Sequence, residues 1–281
     1  MNTNRIFRGI SKRYNWNKEF RQYRDILSKN AGLAQTKNGK TCFIIGNGPS
    51  LKNQDLTLLA DKETFVVNSF WYHKQYELIR PKFYVVVDLP DLSQENKPLR
   101  RYQGDIPGRD PVVSKVPETK LFFSAKIKNY IESKGLFKNN PKYYLLQQDI
   151  MGPKLNFNLD ITKPVPYTRN TIVLALMVAI YLGFEKIYLL GCDHNFLDHP
   201  VGTHYEHFYE ESDADIPDEL KTGTYEGAME SCLRLFRNYR FLKEKIAKTN
   251  PNVKIFNATP NSFLDVFPMV DFDEVLKREL V

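Results

Sequence analysis

Residues 42 to 51 read Cys-Phe-Ile-Ile-Gly-Asn-Gly-Pro-Ser-Leu, a short apolar run followed by a glycine-rich turn and a polar residue that can begin a helix. Gly46 and Gly48 let the backbone turn tightly, and Pro49 fixes φ and removes one N–H donor. We expect the exposed N–H groups beyond Pro49 to face an anion. The stretch therefore predicts a strand that leads into a phosphate-binding turn, although an ordinary strand-to-helix turn would have the same sequence pattern.

Further apolar runs alternate with helix-like segments along the chain. The strand candidates are short, rich in β-branched and aromatic residues, and mostly continuous: Cys42–Ile45, Phe65–Val67, Phe83–Val87, Lys120–Phe123, Tyr143–Leu146, Lys186–Leu190 and Val253–Phe256. Continuous apolar strands are typical of a parallel sheet that is covered on both faces. The chain therefore predicts an α/β fold, with one Rossmann-like nucleotide-binding domain and a mostly parallel sheet.

The clearest single unit begins at Asn170. Residues 171 to 182 are almost entirely apolar and predict a helix that ends at Gly183, and a buried strand follows at Lys186–Leu190. Asp193 comes just after that strand, where ligands bind in open α/β sheets. This placement makes Asp193 a candidate for chemistry.

Polar residues follow three other predicted strands in the same way. Asn47, Asn68 and Asp88 each come just past an apolar run. One such residue is usually a turn former. Together with Asp193, however, they predict a polar rim along the carboxyl edge of the sheet.

The stretch from His194 to Glu226 has no regular periodicity and contains four of the five histidines of the chain. It predicts a long lid inserted over the rim. A lid histidine with an ordinary pKa near 6.5 is a reasonable general base, and His204, with Tyr205 beside it, is our candidate. A helix predicted at 226–247 follows.

The amino-terminal segment carries most of the positive charge. Residues 1–30 hold eight basic and two acidic residues, a net charge of +6 within a chain total of +7. Apolar and aromatic residues alternate with these charges, as in a helix that lies on an anionic membrane. A basic helix packed on the domain, or an oligomer contact, is the alternative. We divide the chain into a basic arm, residues 1–36, and a domain, residues 37–281. Nothing indicates nucleic-acid binding.

Composition favours a cytoplasmic protein. The three cysteines are far apart and odd in number, which argues against a disulfide framework or a zinc site. The amino terminus lacks the apolar core of a signal peptide, and the longest apolar run is too short to span a bilayer. We expect a protein in the cytoplasm, with contact to the inner face of the membrane through residues 1–30.

Five motifs follow one another along the chain: Ile44-Ile-Gly-Asn-Gly-Pro-Ser-Leu51, Val67-Asn-Ser-Phe70, Tyr167-Thr-Arg-Asn-Thr171, Ile187-Tyr-Leu-Leu-Gly-Cys-Asp193 and Pro260-Asn-Ser262. In this order they resemble the motifs of the bacterial sialyltransferases of glycosyltransferase family 42 and of the related DUF115 superfamily. That superfamily includes flagellin motility accessory factors and archaeal hydroxymethylpterin diphosphokinases. The resemblance implies a GT-A-like domain that acts on a nucleotide-activated donor.

The resemblance also implies roles for individual residues. Asn47 and Asn68 match the asparagines that contact the CMP-sugar, and Arg169 and Thr171 match the arginine and threonine before the crossover helix. An arginine suits a phosphate because its planar fork donates two charge-assisted hydrogen bonds. The expected catalytic residues are His204, Asp193 and Arg169, and the expected donor-binding residues are Gly46, Asn47, Gly48, Pro49, Ser50, Asn68, Asp88, Thr171 and Tyr205.

Two departures leave the donor open. Asp88 stands where the sialyltransferases have an asparagine, and their lid histidine has no clear counterpart. We expect transfer of sialic acid or a related nonulosonate from a CMP-activated donor onto a surface-glycan or lipid-linked acceptor, without a required metal. The alternatives are a diphosphokinase that uses ATP, with Mg²⁺ held by Asp88 and Asp91, and a non-catalytic nucleotide-binding protein of envelope assembly.

Overall fold

A computed structural model describes residues 3–87, 105–148, 157–168, 170–198, 207–209 and 224–279. Its main sheet has seven strands, all parallel, in the order β5-β4-β3-β2-β1-β8-β9. The strands are β1 (Thr41–Ile45), β2 (Thr64–Val67), β3 (Phe83–Val86), β4 (Lys120–Ser124), β5 (Lys142–Leu145), β8 (Lys186–Leu190) and β9 (Lys254–Asn257). All seven predicted strands are confirmed to within one residue at each end, and so is the parallel α/β fold.

The helices connect these strands and cover the sheet. They are α1 (Thr3–Ser28), α2 (Tyr76–Ile79), α3 (Asp105–Val113), α4 (Lys128–Ser133), α5 (Thr171–Leu182), α6 (Tyr225–Thr249) and α7 (Phe272–Glu279). Short 3-10 helices lie at Lys29–Leu33, Pro49–Asn53, Leu56–Leu59, Asn68–Tyr72 and Ala125–Ile127. The predicted helices at 171–182 and 226–247 are confirmed as α5 and α6.

A second, two-stranded parallel sheet was not predicted. It pairs β6 (Gln147–Gln148) with β7 (Val165–Pro166). Strands of two residues carry too few positions for a pattern of alternating or continuous apolar residues, so no sequence signal marks them.

The core consists of two apolar layers, one on each face of the main sheet. Ile44 and Val67 join the layer that contains α5 and α6, whereas Phe43 and Val66 join the layer that contains the buried residues of α1 and α7. Successive side chains of a strand point to opposite faces, so each strand must be apolar throughout when both faces are covered. This explains the continuous apolar runs.

The strand order places a topological switch point beside β1. From β1 the chain moves outward through β2 to β5, and it then returns through α5, which packs over β1, β2 and β3, to β8 on the other side of β1. Asn170 caps α5 by accepting a hydrogen bond from the Ile172 N–H at 2.7 Å, and Gly183 ends it at φ +97°. In open α/β sheets such a switch point forms a crevice at the carboxyl ends of the strands.

The second half of α1 packs on the domain. Phe20, Tyr23 and Ile26 lie against the core layer on that face, and Leu27 is fully buried within it. The Asn30 amide donates to the carbonyls of Tyr144 and Ile161, at 2.8 Å each. The apolar residues in this half of the helix are thus used for packing within the chain. Among the residues the structure describes, no helix has the length and apolar character needed to cross a bilayer.

Candidate functional site

Polar residues collect at the carboxyl edge of the sheet around the switch point. Asn47 follows β1, Asn68 directly follows β2, and Asp193 follows β8. The fourth predicted rim residue, Asp88, lies outside the described residues. The described part of the rim divides into two groups with different hydrogen bonding. We call Gly46, Gly48, Ser50 and Asp193 the closed side, and Asn47, Asn68 and Thr171 the open side.

On the closed side, the glycine turn continues the pairing of β1 with β8. The Gly46 N–H donates to the Leu190 carbonyl at 2.8 Å, and the Gly48 N–H donates to the Gly191 carbonyl at 2.9 Å. A Cβ atom on Gly46 would lie 2.3 Å from the Gly191 oxygen, and one on Gly48 would lie 1.7 Å from Asp193 Oδ2. Both positions therefore require glycine because the two strands approach so closely.

Asp193 closes this turn with its carboxylate. The Ser50 N–H donates to Asp193 Oδ1 at 3.0 Å, and the Ser50 hydroxyl donates to Oδ2 at 2.9 Å. Burial raises the pKa of the Asp193 carboxyl, and the two hydrogen bonds from Ser50 oppose that rise. Asp193 occupies the position at the start of the Pro49–Asn53 helix where a bound anion was expected.

The expectation that the N–H groups beyond Pro49 face an anion is wrong for Ser50, whose N–H donates to Asp193 Oδ1, and for Leu51, whose N–H donates to the Gly48 carbonyl. The N–H groups of Gly46 and Gly48 also donate to oxygen atoms of the protein. The neighbouring carboxylate would also repel an anion. The signal that was missed is Asp193 itself, which the sequence placed at the same edge without indicating that it would fold onto the turn.

On the open side, Asn47 carries an unsatisfied acceptor. Its Nδ2 donates to the Val67 carbonyl at 3.2 Å, and its backbone carbonyl accepts from the Phe208 N–H at 3.0 Å. Its Oδ1 is buried and accepts no hydrogen bond from any residue that the structure describes. A buried polar atom without a partner costs free energy, which a ligand that donates a hydrogen bond would recover.

Asn68 connects this side to the start of α5. It has φ +46°, a left-handed conformation that asparagine tolerates better than most residues. Its Oδ1 accepts from the Thr171 hydroxyl at 3.1 Å, and its backbone carbonyl accepts from the Tyr84 hydroxyl. The two asparagines and Thr171 are thus brought together, as the resemblance implied, although their roles stay predictions.

The Pro260-Asn-Ser262 motif supports the closed side from the loop after β9. The Ser262 hydroxyl donates to the Cys192 carbonyl, and the Cys192 N–H donates to the Thr259 hydroxyl at 3.0 Å. The Phe263 N–H donates to the Asp193 carbonyl at 2.9 Å. This loop therefore fixes the backbone that carries Asp193.

A buried histidine next to Asp193 was not singled out from the sequence. His194 has φ +56°, and its Nε2 lies 3.0 Å from the Tyr239 hydroxyl of α6. Burial lowers the pKa of His194 to about 4, so the ring is neutral at pH 7. His194 faces the protein interior, and its role is to join β8 to α6.

Four predicted catalytic or donor-binding residues cannot be placed. Arg169, His204 and Tyr205 lie outside the described residues, as Asp88 does. The chain on either side of residue 169 is fixed: the Thr168 hydroxyl donates to the Asn170 carbonyl at 2.7 Å, and the Asn238 amide donates to the Thr168 carbonyl at 2.6 Å.

In the part of the chain that the structure describes, no group of three His, Cys, Asp or Glu residues is arranged to hold a metal ion.

A cavity of about 200 Å³ lies at the opposite, amino edge of the sheet, between the turns at residues 183–185 and 249–253. That cavity belongs to neither side of the rim.

No known protein-family model matches the sequence, and a comparison with curated proteins finds no match. Among solved structures, the chain is similar to the MAf glycosyltransferase from Magnetospirillum magneticum AMB-1, with a TM-score of 0.45 and 12% identity. That match covers 91% of this chain but only 40% of the other. The chain is also similar to the sialyltransferase CstII from Campylobacter jejuni in complex with cytidine-5'-monophosphate, with a TM-score of 0.42, 17% identity, and 83% and 85% of the two chains covered.

A third structure, sialyltransferase CST-II with a trisaccharide acceptor and CMP, gives a TM-score of 0.41 and 19% identity. It covers 82% of this chain and 86% of the other. Similarity this low does not assign an activity to the chain.

Proposed function

We propose that this protein is a glycosyltransferase that binds a nucleotide-activated sugar at the open side of the rim. The observation that carries the proposal is the buried, unsatisfied Oδ1 of Asn47, which lies at the switch point beside Asn68 and Thr171. A ligand that donates a hydrogen bond to this atom would complete the site. The motif resemblance supports the choice of a nucleotide-sugar as that ligand.

The hydrogen bonding of the rim suggests how the donor lies. Because Asn47 Oδ1 is an acceptor, the group next to it must be a hydroxyl or an amine, as on a ribose or a base, and not a phosphate. The donor phosphate then belongs nearer the start of α5, where the helix dipole and Arg169 favour negative charge. Asp88 is assigned to the ribose or base, and Tyr205 to the phosphate.

The chemistry requires one bond to form and one to break. An acceptor hydroxyl attacks the anomeric carbon, its proton passes to a general base, and the sugar–phosphate bond breaks with its electron pair leaving on the nucleotide. We assign the base to His204. Asp193 is the second candidate, but both of its carboxylate oxygens already accept hydrogen bonds from Ser50.

The choice of donor and acceptor is based on the motif resemblance and on the positive charge of the amino-terminal segment. We propose sialic acid or a related nonulosonate from a CMP-activated donor, and a surface glycan or a lipid-linked precursor of lipopolysaccharide or capsule as acceptor. The basic amino-terminal segment would hold the enzyme at an anionic membrane, at about 1 kcal/mol per basic residue near the surface.

Thermal-shift measurements with CMP, CDP, UDP, GDP and ATP, each with and without Mg²⁺, test the donor. We expect CMP to raise the melting temperature most, with no need for Mg²⁺. A shift that requires both ATP and Mg²⁺ would favour the diphosphokinase instead. If no nucleotide produces a shift, the proposal fails.

Hydrolysis of the activated donor tests the general base. We expect the His204→Ala variant to lose turnover while it keeps nucleotide binding. The matched control is His199→Ala, which removes another histidine of the same segment. Equal turnover in the two variants would remove His204 from the mechanism.

Vesicle sedimentation tests the membrane contact. A variant without residues 1–13 is preferable to a longer truncation, because Leu27 and Asn30 are buried against the domain and their loss would disturb its packing. We expect it to lose binding to vesicles that contain phosphatidylglycerol while its melting temperature is unchanged. Unaltered sedimentation would end the proposal of a basic membrane anchor.

A further inference from the structure

Exposed aromatic side chains concentrate around the candidate site. Among the described residues, five aromatic side chains are exposed to solvent over about half of their surface or more. Only Tyr14, on α1, lies elsewhere. The other four are Tyr72 (53% exposed), Tyr167 (47%), Tyr225 (47%) and Phe263 (55%).

These four residues are attached to three parts of the rim: the segment after β2, the start of α5 and the segment after β8. Tyr72 ends the 3-10 helix that begins at Asn68, and Tyr167 precedes the capped start of α5. The Phe263 N–H donates to the Asp193 carbonyl at 2.9 Å. The Tyr225 hydroxyl donates to the Leu197 carbonyl, four residues after Asp193, at 2.9 Å.

Half-exposed aromatic side chains next to polar groups suit a ligand that has both an apolar and a polar surface. A pyranose ring has such surfaces: its C–H groups form an apolar face, which packs on an aromatic ring, and its hydroxyls donate and accept hydrogen bonds at the edge.

We infer that these four aromatic residues form a saccharide-binding rim that receives the acceptor glycan. The identification of the bound glycan as the acceptor rests on the proposed function, whereas the binding of a saccharide to these four residues does not. Tyr72 follows β2, and Phe263 and Tyr225 are held next to the segment after β8, two strands away in the sheet order. Two strand spacings are about 10 Å, so the rim fits a disaccharide or longer chain better than a single sugar.

Saturation-transfer NMR on the full chain tests this inference with three disaccharides, lactose, cellobiose and chitobiose, and with sorbitol as a polyol without a ring. We expect signal from the C–H protons of at least one disaccharide, weaker binding of the matching methyl monosaccharide, and none of sorbitol. Phe263→Ala and Tyr72→Ala should each weaken disaccharide binding about tenfold.

Matched variants separate ring contact from folding. Phe263→Tyr and Tyr72→Phe keep the ring and should restore binding, and Tyr14→Ala removes an exposed ring of α1 and should change nothing. Phe263→Ala and Tyr14→Ala should keep the wild-type melting temperature, whereas Tyr72→Ala also loses the stacking on Trp71, so its binding is compared with that of Tyr72→Phe. Disaccharide binding that none of the rim substitutions weakens would overturn the inference.

The remaining outcomes distinguish this inference from the proposed function. If CMP raises the melting temperature but no disaccharide gives a signal, the saccharide rim is refuted and the glycosyltransferase proposal stands. If disaccharides bind through Tyr72 and Phe263 but no nucleotide binds, the rim is supported and the glycosyltransferase proposal fails. Loss of vesicle binding in the rim variants, without any saccharide signal, would assign these residues to a membrane surface instead.

Discussion

The closed and open sides of the rim share the turn at residues 46–50, yet they differ in the hydrogen-bonding groups that they leave for a ligand. Gly46, Gly48 and Ser50 donate all three of their N–H groups to the protein, and Asp193 accepts two bonds from Ser50. Asn47, in the middle of the same turn, keeps a buried acceptor that no described residue satisfies. The glycines thus serve the packing of β1 against β8, whereas we propose that the asparagine between them serves binding.

The largest effect is expected from Gly46→Ala. The new methyl group would lie 2.3 Å from the Gly191 oxygen, which is backbone held in the sheet and cannot move aside. We expect a loss of about 3 kcal/mol in the free energy of unfolding, measured by urea denaturation. Gly32→Ala is the control, because no atom lies within 4 Å of its added Cβ. A stable Gly46→Ala protein would contradict the packing role of the closed side.

The next largest effect is expected from lowering the pH, which reduces the free energy of unfolding through His194, the residue after Asp193. Its pKa is about 4 in the folded protein and near 6.5 when unfolded, so the unfolded state binds the proton more tightly. The contribution of the neutral ring to the free energy of unfolding is therefore complete above about pH 6.5, and it is lost as the pH falls toward 4. Between pH 8 and pH 5 we expect a loss of about 2 kcal/mol from this residue.

Urea denaturation of the His194→Asn variant at both pH values measures this contribution. Asparagine tolerates the left-handed backbone at this position, so the variant should fold, with a smaller difference in stability between the two pH values. Burial also lowers the pKa of His73 to about 4, and His73→Asn should reduce the difference separately. A pH dependence unchanged by His194→Asn would show that this ring is not the acid-sensitive group.

Asn47→Ala tests the open side. The variant loses the acceptor that we assign to the donor, so we expect nucleotide affinity to fall about tenfold in isothermal titration. Stability should change little, because the substitution removes one hydrogen bond and also one unsatisfied buried atom. A variant that is strongly destabilised, or that binds CMP as the wild type does, would remove the distinction between the two sides.

The smallest effect is expected from Ser50→Ala. It removes the hydroxyl bond to Asp193 Oδ2 and keeps the backbone bond to Oδ1, so we expect a loss of about 1 kcal/mol in the free energy of unfolding. Nucleotide affinity should stay at the wild-type value, in contrast to Asn47→Ala. Ser231→Ala, at an exposed position of α6, is the control for the substitution itself. A tenfold loss of affinity in Ser50→Ala would place Ser50 on the open side.

The sequence predicted the fold well and the site in part. The seven strands and α5 could be predicted because both faces of the sheet are covered, which leaves apolar runs that a reader can recognise. The convergence of Asn47 with Asn68 could be predicted because the carboxyl ends of parallel strands lie at one edge. The prediction that the N–H groups beyond Pro49 face an anion was wrong, because the Asp193 carboxylate and the Gly48 carbonyl accept the hydrogen bonds of Ser50 and Leu51.

The sequence by itself determined which segments become strands and helices, because those choices depend on residues within a few positions of one another. The requirement for glycine at positions 46 and 48, in the turn after β1, comes instead from the tertiary structure, because Gly191 and Asp193 leave no room for a Cβ atom there. The tertiary structure alone decided which polar groups of that turn remain for a ligand. That outcome depends on partners such as Ser50 and Asp193, which are 143 residues apart in the chain and meet only when β8 is inserted beside β1.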